Sequence, residues 1–472
     1  MNNELICNIC DKVFNSASHL TQHKKRQGQC VKDTKKIQKI FQEMPLVRID
    51  SSFIELKKYY DETLNLDKRT YKSSNDEPTP IDCIEEMIQK IPDELWEKKD
   101  LSILDPCCGN GNFFIPILFK LLQFHSMKYI LENILHFNDI NNDRLNNVKS
   151  VFYNDKYNLQ TTNHDFITHV DSKKYDLIVA NPPYAKMNEE GKRTSKNHNL
   201  IKLFIDKSLN QLKLNGFLLF ITPDNWMSYA DRNILIKIIT KLQIIHLDIH
   251  SAKKYFKKIG SSFTWYVIQN CPYYKDINVS GLWKKIEYTS SVISKQRSYI
   301  PLLYNDIVES ILSKTIDNVD LEKFDIKTSS DLHRFTKKTL INDTETECYT
   351  YRLIHTPSQT VYASRPHKFQ NGYKVFISTT NTYKVFVDNC GMTQSIVFIL
   401  CKNEIEANNF MLILQHPLYT FINNICRWGN FNNIRILQSF PIPKINYSGD
   451  TSQIYDFFNI TSNEIHFIQN NI

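Results

Sequence analysis

The tetrapeptide Asn181-Pro-Pro-Tyr184 closes the apolar run Asp176-Leu-Ile-Val-Ala180, a composition that packing alone does not explain. Proline cannot donate to a strand ladder, so two in succession end a strand and stiffen the loop behind it. A stiff loop lets the Asn181 side-chain oxygen and the Pro182 carbonyl accept hydrogen bonds from one amino group. The lone pair of that nitrogen is then turned toward an electrophile, and group transfer to nitrogen is the chemistry such a loop would serve.

A second constellation lies upstream. In Leu101-Ser-Ile-Leu-Asp-Pro-Cys-Cys-Gly-Asn-Gly-Asn-Phe113 a strand ends in Asp105 and turns through Gly109 and Gly111 into a helix. Glycines there let backbone approach a ligand at a helix N-terminus. Taken alone, the stretch fits a tight strand-to-helix loop equally well. About one strand-helix unit later the strand Ile134 to Asp139 ends in an acid, where a ribose hydroxyl would need a carboxylate acceptor. His164-Asp165-Phe166 pairs an acceptor for an adenine amino group with a ring that could lie against the base. Each acid by itself is more often a solvated turn residue than a ligand.

The elements that must hold these residues follow from pattern. Between 72 and 285, apolar runs at Leu101 to Leu104, Leu135 to Phe137, Leu177 to Val179, Phe217 to Ile221, Ile244 to Leu247 and Phe263 to Ile268 alternate with helical periodicity at Gly111 to Leu122 and Leu200 to Leu214. Alternation of this kind predicts a parallel, doubly wound α/β sheet with crossover helices. Residues 31–71 read as a charged linker with helical spacing at Ile37, Ile40 and Phe41. Residues 290–472, rich in Tyr, Thr, Ser and Asn and carrying one clear helix near Ile405 to Leu414, read as a separate α+β domain.

With several motifs in order, residues 72–285 resemble the catalytic domain of N6-adenine-specific DNA methyltransferases of the type II restriction-modification kind, in the arrangement where cofactor motifs precede the target-recognition domain. The resemblance implies a Rossmann-like fold that binds S-adenosylmethionine through Asp105 to Gly111, Asp139, Asp165 and Phe166, and acts on the target amino group through Asn181, Pro182, Pro183 and Tyr184. Thr79-Pro80, ahead of the helix Ile81 to Ile91, is similar to a family dipeptide that touches the cofactor; a plain helix start with proline in its first turn reads the same. Leu214 to Trp226 is similar to the family strand after the tetrapeptide. A flipped adenine needs two flat faces. Tyr184 would supply one and Phe256 the other, with Phe263 as the alternative. The implied reaction is direct displacement at the methyl carbon of S-adenosylmethionine, with the proton departing to solvent.

Cys7-x2-Cys10, then x12 and His23, has the spacing of a C2H2 zinc finger, with Phe14 and Leu20 where its small ββα core needs apolar groups. His19 as a ligand would shorten the loop and displace Leu20, so Cys30 completes the expected set. Thirty residues are too few for a core without metal. Ser16, His19 and Gln22 would face bases, with Lys24, Lys25 and Arg26 near phosphates; a protein-binding or structural finger is the other reading.

The region after the catalytic sheet, including Tyr373 to Ser378, Gly391 to Ser395 and Trp428-Gly-Asn-Phe431, is similar to the family's target-recognition domain. Arg334, Lys337, Lys338, Lys368 and Arg427 are candidate phosphate contacts. Pro92-Asp93 with Glu97-x-Lys99 imitates a nuclease motif, but its spacing is too tight, so the chain is expected to modify DNA without cutting it; a separate restriction nuclease would be a partner. The net charge of +8 permits a nucleic-acid partner without requiring one. No apolar run is long enough to span a membrane, no signal peptide opens the chain, and 11 scattered cysteines do not form a secreted framework, so an intracellular, soluble protein is expected. The tetrapeptide also serves enzymes that methylate adenine in RNA or a glutamine amide. A catalytically silent DNA-binding scaffold is the remaining alternative.

Overall fold

The computed structural model describes residues 5–6, 13–14, 46–66, 77–184, 199–256 apart from 232, and 262–472 apart from 381, 428 and 446. They divide into two compact units, Met1–Ile81 with Cys108–His164, and Asp82–Cys107 with Asp165–Ile472. In chain order the strands up to residue 292 are β1 (Leu5–Ile6), β2 (Val13–Phe14), β3 (Ile103–Asp105), β4 (Leu135–Asn138), β5 (Gln160–Thr162), β6 (Tyr175–Ala180), β7 (Leu212–Pro223), β8 (Leu242–Ile249), β9 (Phe263–Pro272), β10 (Ile277–Trp283) and β11 (Ile286–Val292).

In the first unit β1 and β2 pair antiparallel, Leu5 opposite Phe14 and Ile6 opposite Val13. β4 and β5 pair in parallel. The helices are α1 (Phe53–Glu62), α2 (Ile81–Ile88), α3 (Phe114–Leu121) and α4 (Asn142–Val151), of which α2 opens the second unit in sequence. α1 starts at a complete capping box, in which Ser52 Oγ accepts from the Glu55 amide while the Glu55 carboxylate accepts from that of Ser52. α3 is apolar on nearly every side and buries Phe114, Ile115, Ile117, Leu118 and Leu121.

In the second unit the strands run side by side in the order β11-β10-β8-β9-β7-β6-β3. β3, β6 and β7 are parallel, with Ile103 opposite Leu177 and Ala180 opposite Phe220. All six expected strands are present, but the sheet is mixed rather than parallel: β9 lies antiparallel between β7 and β8, and β11 returns antiparallel on β10. Between Ile249 and Phe263 the described residues include the 3-10 turn Ser251–Lys254, and β9 then comes back antiparallel beside β8. The hairpin β10–β11 carries the sheet past residue 285, turning at Lys284 and Lys285 with φ of 48° and 71°. The expected helix to Leu214 is α5 (Asn199–Gln211), and β7 begins directly behind it at Leu212.

β6 is buried along its whole length, as a strand covered on both faces must be. Its one acid, Asp176, is held by Lys98 Nζ at 2.9 Å, Lys213 Nζ at 2.7 Å and the Ser102 amide at 3.0 Å. Burial opposes the charge, yet the hydrogen bonds from Lys213, Lys98 and Ser102 win and hold the carboxyl below its ordinary range. These contacts tie β3 and the start of β7 to β6 at the end opposite the tetrapeptide.

Beyond residue 300 follow α6 (Asp306–Lys314), a sheet of order β12-β14-β13-β17 built from Ile341–Asn342, Gln359–Ala363, Tyr351–Thr356 and Gly391–Met392, and a sheet of order β16-β15-β18 from Val385–Asp388, Lys374–Ser378 and Ile396–Leu400. Helices α7 (Glu404–Leu414), α8 (Pro417–Cys426) and α9 (Ile434–Gln438) share one core with α6, around Leu312, Ile377, Tyr419 and Leu437. Arg297, 6% exposed, pins this core by bonding Glu309 through Nη1 at 2.9 and 2.6 Å and Asp317 through Nη2 at 2.8 Å.

Asp176→Asn leaves two lysines beside a neutral amide and costs about 3 kcal/mol, the usual penalty for breaking a buried charged network, read as a lower unfolding midpoint. In the parent the contribution of this lowered carboxyl is full above its unfolded range and fades as pH falls through the lower folded value. The midpoint difference between parent and variant therefore shrinks in strong acid.

Candidate active site

The glycine turn lies in the first unit from Cys108 onward. Gly109 has φ of 56° and Gly111 of 87°, a backbone region that side chains disfavour. A Cβ on Gly111 would sit 2.9 Å from the Phe152 ring, whereas one on Gly109 would meet nothing within 4 Å. Gly111 is therefore required by packing, and Gly109 borders open space. Asp139 is 4% exposed and organises the turn: Oδ2 accepts from the Gly109 amide and Oδ1 from the Asn141 amide, both at 2.8 Å.

The turn is braced from distant positions by Tyr60 and Asn147, and from within it Asn112 reaches Thr79. Tyr60 Oη donates to the Asn110 carbonyl at 2.8 Å, Asn147 Nδ2 to Asn110 Oδ1 at 3.0 Å, and Asn112 Nδ2 to the Thr79 carbonyl at 2.9 Å. Thr79 itself is 2% exposed, and its Oγ1 has no hydrogen-bond partner among the described residues. A buried hydroxyl in that state costs free energy unless a ligand completes it. Thr79, Gly109, Gly111 and Asp139 thus fit a small polar ligand bearing hydroxyl groups, with the orphaned hydroxyl as the structural sign.

In the second unit β3 ends at Asp105, whose Oδ1 accepts from the Cys107 amide at 3.1 Å. Asp165 is exposed and its Oδ1 accepts from the Ile167 amide at 2.9 Å. Phe166 is 4% exposed, its ring stacked on Phe204 at 5.5 Å and 27°. That face of the ring is core, so it is not offered to a ligand.

The tetrapeptide leaves the end of β6 with Pro182 buried, Pro183 exposed, and Asn181 and Tyr184 half-buried. Tyr184 Oη donates to Asn181 Oδ1 at 2.7 Å, which fixes the asparagine amide within the loop. Burial pushes the Tyr184 phenol far up, with Tyr266 and Cys107 adding to it, so it stays a neutral donor at any working pH. The Tyr184 ring lies 6.2 Å from that of Phe263 at 43°, and Phe263 lies 5.0 Å from Phe256 at 40°. The two aromatic candidates are therefore neighbours, each 4% exposed, and Phe263 is the one that touches Tyr184. Residues 257–261 between them lie outside the described residues.

A polar pair unforeseen from sequence flanks Phe263. His250, with φ of 72°, donates its backbone amide to the Phe263 carbonyl at 3.2 Å, and its Nε2 meets Asp224 Oδ2. Asp224 directly follows β7, so both belong to the strand end that carries Tyr184's aromatic neighbours.

Residues 53–256 match the model of the Eco57I restriction-modification methylase family. The stretch covers the glycine turn, the tetrapeptide and Phe256, and agrees with the family resemblance read from the motifs. Among curated proteins the chain is 26% identical over 284 residues to the type II methyltransferase M.HindII of Haemophilus influenzae, covering 57% of this chain and 50% of that protein. It is 26% identical over 264 residues to the type II methyltransferase M.HincII of Haemophilus influenzae, covering 52% and 47%. The chain spans about half the length of these relatives. Among solved structures, the ATP-dependent type ISP restriction-modification enzyme LlaBIII bound to DNA superposes on 96% of this chain and 43% of its own, with a TM-score of 0.51 and 12% identity, a likeness of fold.

Among the described residues no group of three or more His, Cys, Asp or Glu is placed to hold a metal ion, and Cys7, Cys10, His23 and Cys30 lie outside them. No described helix is long and apolar enough to cross a membrane.

Gly111→Ala forces a side chain into the Phe152 ring at a positive φ. The expected result is a loss of about 2 kcal/mol in stability, read by thermal unfolding, whereas Gly109→Ala, with open space around its Cβ, loses only the backbone share of about 1 kcal/mol.

Proposed function

We propose that this chain is an S-adenosylmethionine-dependent DNA methyltransferase that methylates the N6 amino group of an adenine extruded from the duplex. The observation that carries the reading is the loop Asn181 to Tyr184 at the end of β6, with Tyr184 Oη bonded to Asn181 Oδ1 and its ring beside Phe263. Support comes from the match of residues 53–256 to a restriction-modification methylase family and from relatives named as type II methyltransferases.

S-adenosylmethionine, when bound, supplies a methyl group on a sulfonium that is already an activated leaving group. For the cofactor we assign Thr79, Gly109, Gly111 and Asp139 in the first unit, where the Thr79 hydroxyl has no partner among the described residues, and Asp105, Asp165 and Phe166 in the second. For Phe166 only its edge is available, given the stack on Phe204.

On the target side Asn181 Oδ1 and the Pro182 carbonyl accept the two hydrogens of the adenine amino group, which localises the lone pair on nitrogen and aims it at the donor carbon. Oδ1 can accept from both Tyr184 and the base, since an amide oxygen has two lone pairs. Pro183 keeps the loop stiff. Tyr184 stacks on one face of the base, and Phe256, proposed for the other, would have to part from Phe263, on which it is packed with 4% exposure, to reach it. The bound donor would supply the methyl carbon and take its sulfur away as a neutral thioether, and the surplus proton on the held nitrogen would leave to solvent.

At the N-terminus Cys7, Cys10, His23 and Cys30 hold a structural zinc ion, a reading supported by their spacing and by the antiparallel pair β1–β2, the backbone that a ββα finger needs first. Duplex DNA is the substrate in this reading, the region beyond β11 reads its sequence, and a separately encoded restriction nuclease is the partner we propose from the restriction-modification family matched by residues 53–256.

Asn181→Ala removes an acceptor for the target nitrogen and leaves Thr79 and the glycine turn untouched. Cofactor affinity measured by calorimetry should stay within about threefold, while methyl transfer falls by about three orders of magnitude, as for loss of one transition-state contact or more. Turnover near the parent level in Asn181→Ala would exclude this mechanism.

A further inference from the structure

Phe431 is 57% exposed, and an exposed phenylalanine alone means little. What sets it apart is the backbone beneath it. Phe431 forms an antiparallel bridge with Thr380, and the next amide, that of Asn432, donates to the Thr379 carbonyl at 2.9 Å. Asn432 is buried, with Nδ2 donating to the Ser378 carbonyl at 2.8 Å and Oδ1 accepting from Asn423 Nδ2 at 3.0 Å. Asn433 caps α9 through Oδ1 and sends Nδ2 to Ser228 Oγ at 2.9 Å and to the Tyr229 carbonyl at 3.1 Å. A flat apolar ring is thus held out on a tripeptide whose other two side chains are locked.

The place of that tripeptide matters as much. Ser228 follows the 3-10 turn Asp224–Met227 that closes β7, and the last residue of β7, Pro223, pairs with Phe263, whose ring touches Tyr184. One continuous set of contacts therefore runs from the tetrapeptide tyrosine to Phe431. The same loop edge continues through the Thr379 amide on the Ser395 carbonyl and the Arg334 amide on Gln394 Oε1. The described residues of 327–338, 365–384 and 427–435 along this edge include Lys327, Arg334, Arg365 and Arg435, paired with Asp325, Asp343, Asp331 and Asp231, and Lys374, buried on backbone carbonyls, so cations such as Lys338, Lys368 and Lys384 supply the positive charge there. Such an edge suits a polyanion, and an aromatic wedge among cations and amides suits a base stack.

We propose that Phe431 enters the duplex and fills the space left in the base stack by the extruded adenine, an inference that rests on the reading of the chain as a base-extruding DNA methyltransferase. Extrusion costs unpairing and unstacking, and an apolar ring in the gap recovers part of the stacking. Only a rigid loop can deliver it, because a mobile one would spend the gain on ordering.

The test uses the full-length protein and its mapped methylation site in two duplexes, one with the target adenine paired and one with an abasic site opposite it, which removes most of the cost of extrusion. Phe431→Ala should lower kcat/KM on the paired duplex by about tenfold or more and restore it to within about threefold of the parent on the abasic duplex. Phe431→Trp should retain most activity on both, and 2-aminopurine at the target position should brighten on binding the parent and the tryptophan variant but little with Phe431→Ala. Because the ring is exposed, the alanine variant should keep the parental unfolding midpoint. Equal activity of Phe431→Ala and parent on the paired duplex, or a defect of the same size on both duplexes, overturns the wedge. A defect rescued by the abasic site in Phe335→Ala, at the far end of the edge, instead of in Phe431→Ala overturns it too. A parent protein that methylates no DNA at all removes the reading beneath it, and so is distinguishable from failure of the wedge.

Discussion

The structure of the target side depends on where the β6 ladder stops. Pro182 and Pro183 have no N–H to donate, so hydrogen bonding along the most deeply buried strand must end at Ala180. Asn181 and the Pro182 carbonyl consequently stand at a strand end on stiff backbone, and parallel neighbours bring the ends of β3 and β7 to the same edge. Asp176 secures the opposite end with two lysines and a backbone amide. A loop anchored in this way can hold two acceptors on one nitrogen without spending binding energy to order itself.

Much of this was legible in the sequence because few structures satisfy it. Six apolar runs became six strands, since residues buried on both faces leave a continuous apolar signature. The glycine turn and the tetrapeptide were legible for the same reason: Gly111 admits no Cβ beside Phe152, and paired prolines admit no ladder. Strand direction was not legible. Apolar runs look alike in either sense, so nothing in the run Phe263 to Ile268 marks β9 as antiparallel to both its neighbours.

Supports were equally hidden. Tyr60 and Asn147 brace the glycine turn from distant positions, and nothing in their local sequence announces it. Spacing put Phe256 ahead of Phe263, yet both rings belong to one cluster and Phe263 is the one beside Tyr184. Phe166 read as a free ring and is stacked on Phe204 instead, a tertiary contact that its neighbours do not encode. His250 joins Asp224 from a left-handed backbone position that residue type does not suggest. At the N-terminus the expected ligands lie outside the described residues, among which β1 and β2 pair antiparallel.

The atom that receives the methyl group decides the chemistry of this chain. Incubating the full chain with S-adenosylmethionine carrying an isotopically labelled methyl group and unmethylated duplex DNA, then digesting to nucleosides, identifies it directly. Label in N6-methyladenine, confined to one short sequence, is the predicted result. Label on cytosine, or on RNA or protein with DNA left unlabelled, would contradict the assignment.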